Sequence, residues 1–232
     1  MRYLNLFEEF KIKKTKKIYK HLDKGKGGVE RILGNISDDT YLPDIDDEHI
    51  DLLSIVLKSV TKRFGLKSNV KYINSGTFGM AFVVDDKIIK LTSNKSEAMV
   101  AKSLIGRKIP HCVNYYDIVY IKRYNIYAIL MDKAEKLSPT EKGVVGKLSD
   151  SVVIMNDYDK LKKKFSDISD SKLKKIYKDF REMYKSLKDN NISIQDLHEG
   201  NIGYINDKMV HFDIMCDTKK KDIEKISKIK IK

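Results

Sequence analysis

Residues 192–215 read ISIQDLHEGNIGYINDKMVHFDIM, and the interpretation of the whole chain starts from them. Short apolar segments alternate here with polar residues and glycines, which predicts a loop, a strand, a turn and a second strand. Asp196 lies in the loop, Asn201 follows it, and Asp213 comes at the end of the second strand. Phosphoryl transfer uses one carboxylate to orient the attacking hydroxyl, and an amide oxygen with a second carboxylate to bind Mg²⁺. The spacing therefore predicts a phosphoryl-transfer site.

A glycine-rich turn lies upstream, within residues 70–91, which read VKYINSGTFGMAFVVDDKIIKL. Two apolar runs flank the turn, and a third run ends at Lys90, so that three strands are predicted. Glycines let backbone amides approach phosphate oxygens, and a lysine at the end of the third strand can reach the same phosphates. The alternative for Lys90 is an edge-strand lysine that extends into solvent. The predicted nucleotide-binding residues here are Gly76, Thr77, Phe78, Gly79 and Lys90.

Two stretches carry a clear helical period. Glu97 opens an apolar-periodic stretch at residues 96–104, and a helical glutamate there could pair with Lys90. Residues 171–188 have the stronger period and lead into the loop that contains Asp196. Residues 136–152 predict an irregular segment instead, because that stretch is polar and is interrupted by Pro139, Gly143 and Gly146.

The order of these features resembles that of the protein-kinase-like superfamily, over about two-thirds of the chain. Kinases carry a glycine loop, a strand lysine, a helical glutamate, an Asp-x-x-x-x-Asn loop and a second Asp in this order. The spelling Asp-Leu-His-x-Gly-Asn at residues 196–201 resembles small-molecule kinases such as aminoglycoside phosphotransferases. The Ser-Gly-Thr-Phe-Gly turn is similar to that of protein kinases. The resemblance implies an α+β, bilobal fold with a small antiparallel sheet in the N-lobe and a reduced, mainly helical C-lobe.

The resemblance also implies ATP and Mg²⁺ as cofactors and gives each residue a role. Asp196, Lys90 and Glu97 would be catalytic, and Asn201 and Asp213 would bind the metal. The strand at residues 125–131 would lead into the segment that links the lobes. Its implied adenine-pocket residues are Met131, at the back of the pocket, with Asp132 and Ala134, whose backbone groups would bond the adenine edge.

The implied activity is an ATP- and Mg²⁺-dependent phosphotransferase, with Ser/Thr hydroxyls of proteins as the first predicted acceptor. Two alternatives stay open, a small-molecule kinase and a catalytically inert, nucleotide-binding scaffold. Asn74 replaces the first loop glycine, and Asp213-Ile214-Met215 lacks the glycine that follows the kinase aspartate. Only nineteen residues follow Asp213, without the helices that hold acceptors in the family. These departures are the reason for keeping the scaffold alternative.

The predicted organisation has four parts. Residues 1–65 form a basic, helical N-terminal extension, 66–132 the N-lobe, 133–218 the C-lobe and 219–232 a lysine-rich tail. Within the extension, acids at residues 46–48 open a helix that ends before Gly65. The helix is predicted to pack on the N-lobe, with partner binding as the alternative, through Ile50, Leu53, Val56, Leu57 and Val60.

The net charge is +13, and lysines near both ends of the chain contribute most of it. Residues 11–26 contain eight lysines and residues 219–232 contain seven. Such runs can bind nucleic acid or an acidic partner, but mobile solvated ends are the favoured interpretation. Aromatic residues do not alternate with the lysines, so no base-stacking platform for single strands is predicted there.

The chain shows no sign of membrane insertion or export. Its longest apolar run is residues 126–131, far short of the roughly 20 residues of a membrane helix. The first residues lack the apolar core and cleavage site of a secretory signal. Cys112 and Cys216 match no metal or redox spacing, and His198 and His211 lack zinc-ligand spacing. A cytoplasmic protein with reduced thiols is therefore predicted.

Overall fold

A computed structural model of the protein describes residues 47–66, 70–75, 79–153, 170–194, 196–214 and 227–229. The described residues form two compact units. The first contains those within 1–102, 116–131 and 220–232, and the second those within 103–115 and 132–219. Several predicted features lie outside the described residues: Gly76, Thr77, Phe78, Met215, Cys216 and the lysine run at 11–26.

The first unit opens with helix α1, Asp47–Arg63. Lys62 and Arg63 occupy its last turn, where cations suit the helix dipole. The chain then turns at Gly65, whose φ of 68° is readily adopted only by a residue without a Cβ. The buried face of α1, which packs on the sheet, consists of Leu53, Val56, Leu57 and Val60. The predicted packing of this helix is thus confirmed.

A six-stranded sheet forms the rest of the first unit, together with helix α2, Lys95–Leu104, which begins in this unit. The strand order is β1-β2-β3-β5-β4-β9, and β1–β2 and β2–β3 are antiparallel pairs. The strands are β1 Lys71–Ser75, β2 Gly79–Val84, β3 Lys87–Thr92, β4 Tyr115–Ile121, β5 Ile126–Asp132 and β9 Ser227–Ile229. A 3₁₀ turn at Lys122–Tyr124 joins β4 to β5.

The two faces of this sheet have different surroundings. One face packs on α1 through Met80, Phe82, Val84, Ile89 and Leu91. Successive side chains of a strand point to opposite faces, so Lys90 points away from α1. Its cross-strand partner is Ala81, which lies on the same face. The lysine is therefore held on a rigid strand, on the face that the α1 core leaves open.

Strand β9 departs from the prediction for the lysine-rich tail. Residues 227–229 form a parallel edge strand, with Ser227 opposite Val119 and Ile229 opposite Ile121. Mobility was favoured for this segment because of its lysines, and the sheet was predicted to be antiparallel. The edge of β4 presents backbone groups that require partners, and the tail alternates apolar and polar residues as strands do. Backbone pairing therefore orders these three residues.

The second unit combines two helices with a small sheet. Strands β6 Glu135–Lys136, β7 Ile202–Ile205 and β8 Lys208–His211 form an antiparallel sheet in that order. The β7–β8 turn uses Asn206 and Asp207, both with positive φ, as expected for a two-residue hairpin. The predicted strand, turn and strand are confirmed, whereas β6 was not predicted.

Helix α3, Pro139–Val153, occupies the stretch that was predicted to be irregular. Ser138 and Glu141 explain the error. The Glu141 carboxylate accepts from the Ser138 backbone N–H at 2.7 Å, and the Ser138 hydroxyl accepts from the Glu141 N–H at 3.3 Å. This reciprocal cap, with proline in the first turn, starts a helix despite the glycines that follow.

Helix α4, Ser171–Asp189, confirms the strongest helical prediction. The Asp170 side chain caps it by accepting from the N–H groups of Lys172 and Leu173. Its buried residues are Ile176, Phe180, Met183, Tyr184 and Leu187. The Ile192 N–H donates to the Leu187 carbonyl, so the helix leads directly into the loop that contains Asp196.

The protein thus has the predicted α+β class, and its elements follow the kinase-like order. Three strands come first, then helix α2, then strands β4 and β5. Helices α3 and α4 follow, and after them the β7–β8 hairpin, which Asn201 precedes and Asp213 follows. Within the described part of the chain, no helix is long and apolar enough to cross a membrane.

Candidate functional site

Lys90 and Glu97 form a close ion pair in the first unit. The Lys90 Nζ lies 2.5 Å from Glu97 Oε1, and the side chains are 15% and 9% exposed. Lys90 is held by the β2–β3 pairing, and Glu97 is in the first turn of α2. The structure therefore brings together the lysine and the glutamate that the sequence singled out. A charged ammonium is fixed in this way on one face of the sheet.

Thr92 and Asn94 complete this arrangement, and neither was identified from the sequence. The Thr92 hydroxyl donates to Glu97 Oε2 at 2.7 Å and accepts the Asn94 N–H at 3.0 Å. The Asn94 side chain in turn accepts from the N–H groups of Ser96 and Glu97, which caps α2. Both oxygens of Glu97 are thus occupied. The available signal was a Thr two residues after Lys90, on the same strand face.

Gly79 has a structural reason to be glycine that is separate from any ligand. A Cβ at this position would lie 2.6 Å from the Leu91 carbonyl oxygen and 3.3 Å from Lys90 Cε. The backbones of β2 and β3 approach too closely there for a side chain. Gly79 therefore lets the stem of Lys90 pass beside β2.

The residues named for the adenine pocket lie where β5 ends. Met131 is buried. Asp132 donates its N–H to the Asn114 carbonyl at 3.0 Å, and its carboxylate accepts from the Asn114 backbone and side chain. The Asp132 N–H is therefore already used within the protein. Ala134 is half-buried and lies just before β6. The carbonyl of Glu135, in β6, lies so close to Gly203 that a Cβ at position 203 would collide with it.

Asn201 holds Asp196 in the second unit. The Asn201 Nδ2 donates to Asp196 Oδ2 at 2.9 Å and to the Asp196 carbonyl at 3.1 Å. Asn201 is 8% exposed, and its backbone carbonyl accepts a hydrogen bond from the Phe212 N–H at 2.9 Å. The buried side-chain amide of Asn201 thus fixes the half-buried carboxylate of Asp196. These two hydrogen bonds use the Asn201 Nδ2, and the Oδ1 of the same amide is the acceptor atom that they do not use. The residues predicted to act together from their five-residue spacing are in direct contact.

His198 contributes to the same loop. Its Nδ1 accepts the Gly200 N–H at 3.0 Å, so that a neutral ring carries its proton on Nε2. That Nε2 lies 3.7 Å from Asp196 Oδ1. The ring therefore presents a proton toward the oxygen of Asp196 that Asn201 does not contact.

His211 lies fully buried behind these residues. Burial lowers the pKa of its imidazole to about 4; the Asp196 backbone and the charge of Asp213 act in the opposite direction, and His198 adds to the lowering. Neither ring nitrogen completes a hydrogen bond to another described residue. His211 is thus a buried ring that is neutral at pH 7.

Asp213 follows β8 with a left-handed backbone, φ 62°. Few residues other than glycine adopt this region, and Asp is among those that tolerate it. Such conformations concentrate at functional sites. Because the Phe212 N–H bonds to the Asn201 carbonyl, Asn201 and Asp213 lie at the same end of the β7–β8 hairpin.

The two residues at this end of the hairpin that were predicted to bind a metal carry oxygen donors. Among the described residues, no group of three or more His, Cys, Asp or Glu could hold a metal ion. Mg²⁺ usually takes one or two protein oxygens and completes its shell with water and phosphate. Asn201 and Asp213 provide one amide oxygen and one carboxylate, which is a set of that kind.

Comparisons with known proteins identify distant structural likenesses only. No family model matches the chain, and no curated protein matches it. The aminoglycoside phosphotransferase APH(4)-Ia is 12% identical, with 71% of this chain and 73% of that chain covered and a TM-score of 0.40. The streptomycin-ATP-APH(2")-IIa ternary complex is 14% identical, covers 75% and 73%, and has a TM-score of 0.31. ADP-bound APH(2'')-Ib is 14% identical, covers 69% and 70%, and has a TM-score of 0.29. Likenesses this distant do not bear on activity or substrate.

Proposed function

We propose that the protein is an ATP- and Mg²⁺-dependent phosphotransferase of the protein-kinase-like type. The observation that carries the proposal is the Lys90–Glu97 ion pair. A lysine that only extends from an edge strand needs no buried carboxylate beside it, whereas kinases require this pair to hold the nucleotide phosphates. The Thr92 hydroxyl holds the Glu97 carboxylate from its other side, so the position of the Lys90 ammonium is fixed.

The nucleotide is assigned to the following residues. Lys90 binds its phosphates, and the glycine-rich sequence that ends at Gly79 is assigned to them because glycines allow backbone amides to approach phosphate oxygens. Met131 borders the purine. The Asp132 N–H already donates to the Asn114 carbonyl. The hydrogen bonds to the purine edge are therefore assigned to the backbone of Ala134, two residues later.

The chemical step is assigned to the second unit. Bound ATP would supply the γ-phosphoryl group and leave as ADP, and Mg²⁺ would neutralise the phosphate charge. Asp196 orients the acceptor hydroxyl and accepts its proton at Oδ1, while Asn201 holds Oδ2. Asn201 Oδ1 and the Asp213 carboxylate hold the metal ion. Asp196 is fixed before the acceptor arrives, which reduces the entropy cost of alignment.

The acceptor is a hydroxyl group, and protein Ser/Thr residues are the first candidates because of the glycine turn. Small-molecule hydroxyls are the second candidate, favoured by the Asp-Leu-His-x-Gly-Asn order around Asp196. A cytoplasmic location is part of the proposal, because Cys112 is a buried free thiol that suits a reducing compartment.

Two measurements test the proposal. Thermal unfolding with ATP and Mg²⁺ should show stabilisation, by about 2.7 kcal/mol at 100 times Kd, and Lys90→Met should abolish it. Transfer of labelled γ-phosphate should be lost in Asp196→Asn and kept in Asp207→Asn, a matched change in the exposed β7–β8 turn. Ser/Thr-containing proteins and aminoglycosides should be tried as separate acceptor sets.

The outcomes separate the alternatives. Stabilisation by ATP without transfer to any acceptor would reject catalysis and leave a nucleotide-binding scaffold. Equal transfer by the wild type and Asp196→Asn would show that another residue does the chemistry. No stabilisation and no transfer would remove the proposal entirely.

A further inference from the structure

The outward side of helix α4 carries a continuous row of cations. Its members recur at intervals of three or four residues, so they lie above one another on one side of the helix. Four of the five are exposed and the arginine is half-buried: Lys174, Lys178, Arg181, Lys185 and Lys188. We call this set the α4 basic row. It lies opposite the buried residues Ile176, Phe180 and Leu187.

The five members of the row are all basic, and the acids of α4 lie beside them. A helix that is merely well solvated usually alternates signs along one face. The acids of α4 border the row on one side: Lys175 pairs with Asp179 at 3.0 Å, and Asp189 ends the helix four residues after Lys185. Glu182 lies on that border too and approaches the α4 basic row at Lys178, at 3.9 Å. The row thus holds five cations, with acids along one of its borders.

Most of this positive charge is not neutralised by side chains that the structure describes. Within the part of the chain that the structure describes, the pair Lys178–Glu182 is the one ion pair that a member of the row forms, and both of its side chains are well exposed. Lys188 lies 5.5 Å from the Tyr184 ring centroid, which leaves its charge uncompensated. Such a surface attracts a polyanion.

Two further cations lie in the chain before β4. The Ser186 hydroxyl donates to the Pro110 carbonyl at 2.6 Å, which joins the chain before β4 to the C-terminal half of α4. Arg107 and Lys108 are exposed and lie just before Pro110.

We propose that the α4 basic row binds the phosphate backbone of a nucleic-acid duplex. The row is about 21 Å long at about 1.5 Å per residue, a length over which one strand presents about six phosphates. No aromatic side chain belongs to the row, which favours backbone contact over base stacking. The apolar side of α4 is buried in the second unit, so it cannot insert into a membrane surface as interfacial helices do.

The test uses the full chain and labelled 20-base-pair duplexes of DNA and RNA at several salt concentrations. Five phosphate contacts predict a slope of log K against log salt of about −4.5. In the quadruple variant Lys174→Gln, Lys178→Gln, Lys185→Gln and Lys188→Gln, the slope should become shallower by about 3.6, to about −0.9, because each contact contributes about −0.9. Glutamine keeps the helix propensity, so the fold is retained.

A matched control removes the same charge from the first unit. It replaces four exposed lysines by glutamine, namely Lys62, Lys71, Lys95 and Lys122. The control should keep most of the wild-type slope and affinity. The duplex that the wild type binds more tightly, DNA or RNA, identifies the partner. Equal losses in both variants, or an unchanged slope in the row variant, would overturn the proposal. Tighter binding to polyglutamate or to anionic lipid vesicles than to both duplexes would overturn it as well.

Discussion

Thr92 donates its hydroxyl hydrogen to Glu97 Oε2 across 2.7 Å, with both side chains buried. The other oxygen of Glu97 faces Lys90, so the carboxylate is held from two sides. Strand β3 provides both contacts, since Lys90 and Thr92 point to the same face. The orientation of the ammonium therefore depends on a neutral hydroxyl as well as on the ion pair.

Replacing Thr92 by valine should show this dependence. The shape is kept, but Glu97 loses a donor, and an unsatisfied buried acceptor costs about 1–3 kcal/mol of unfolding free energy. ATP should stabilise Thr92→Val less than the wild type, and Thr92→Ser should restore both quantities. Denaturant unfolding with and without ATP and Mg²⁺ measures them. If serine fails to restore the response to ATP, the hydroxyl does not position Lys90.

Asn201→Ala should separate the orientation of Asp196 from the fold. The substitution removes two hydrogen bonds to Asp196 and the amide oxygen assigned to the metal. Loss of such an orienting partner typically lowers activity or metal affinity about 10- to 100-fold. Phosphate transfer titrated with Mg²⁺ should show a lower kcat and a higher Mg²⁺ requirement. Asn206→Gly in the β7–β8 turn is the control, because glycine also adopts the positive φ of that position, and equal effects in both variants would contradict the assigned role.

His211 predicts a loss of stability in mild acid. Its pKa is lowered from 6.5 to about 4 by burial, so the unfolded chain takes up a proton before the folded chain does. Stability is therefore complete above pH 6.5 and falls as the pH drops toward 4. The loss is about 3 kcal/mol from this group alone. Unfolding in denaturant without Mg²⁺, from pH 7 to pH 4, measures it.

His211→Gln is the comparison for this prediction. Glutamine does not titrate, so the variant should show a flatter pH profile between 6.5 and 4 whatever its stability at pH 7. A profile that matches the wild type would assign the acid sensitivity to other groups.

The cap of α3 provides a prediction that does not depend on function. Ser138→Ala removes the hydroxyl of the reciprocal pair and should cost about 1 kcal/mol. Hydrogen bonds from Ser138 lower the pKa of Glu141, so this stabilisation is present above the ordinary carboxyl pKa of 4.5 and is lost at lower pH. The difference between wild type and Ser138→Ala should shrink in acid. A constant difference from pH 7 to pH 3 would contradict the pairing.

The elements that were predicted correctly share local signals. Helix α1 has acids at its start and Gly65 after its end, and the β7–β8 hairpin has Asn206-Asp207 at its turn. The contact of Asn201 with Asp196 follows from a five-residue spacing within one loop. In each case the residues that determine the structure are neighbours in the chain, so their pattern can be read directly.

The elements that were missed depend on context or on distance. In α3, the glycines obscured a Ser138–Glu141 cap whose spacing was present in the sequence. The pairing of β9 with β4 joins segments more than a hundred residues apart, and no local pattern specifies such a partner. The bond of Asp132 to Asn114 also requires the folded chain, so the use of the Asp132 amide could not be foreseen.

The position of β9 has a consequence for biosynthesis. The sheet that supports Lys90 takes its last strand from residues 227–229, which the ribosome adds after every residue of the second unit that the structure describes. Domains commonly fold in order as they emerge. Here the second unit can fold while the edge of β4 is still unpaired, so the first unit reaches its complete hydrogen bonding last, although most of it is synthesised first.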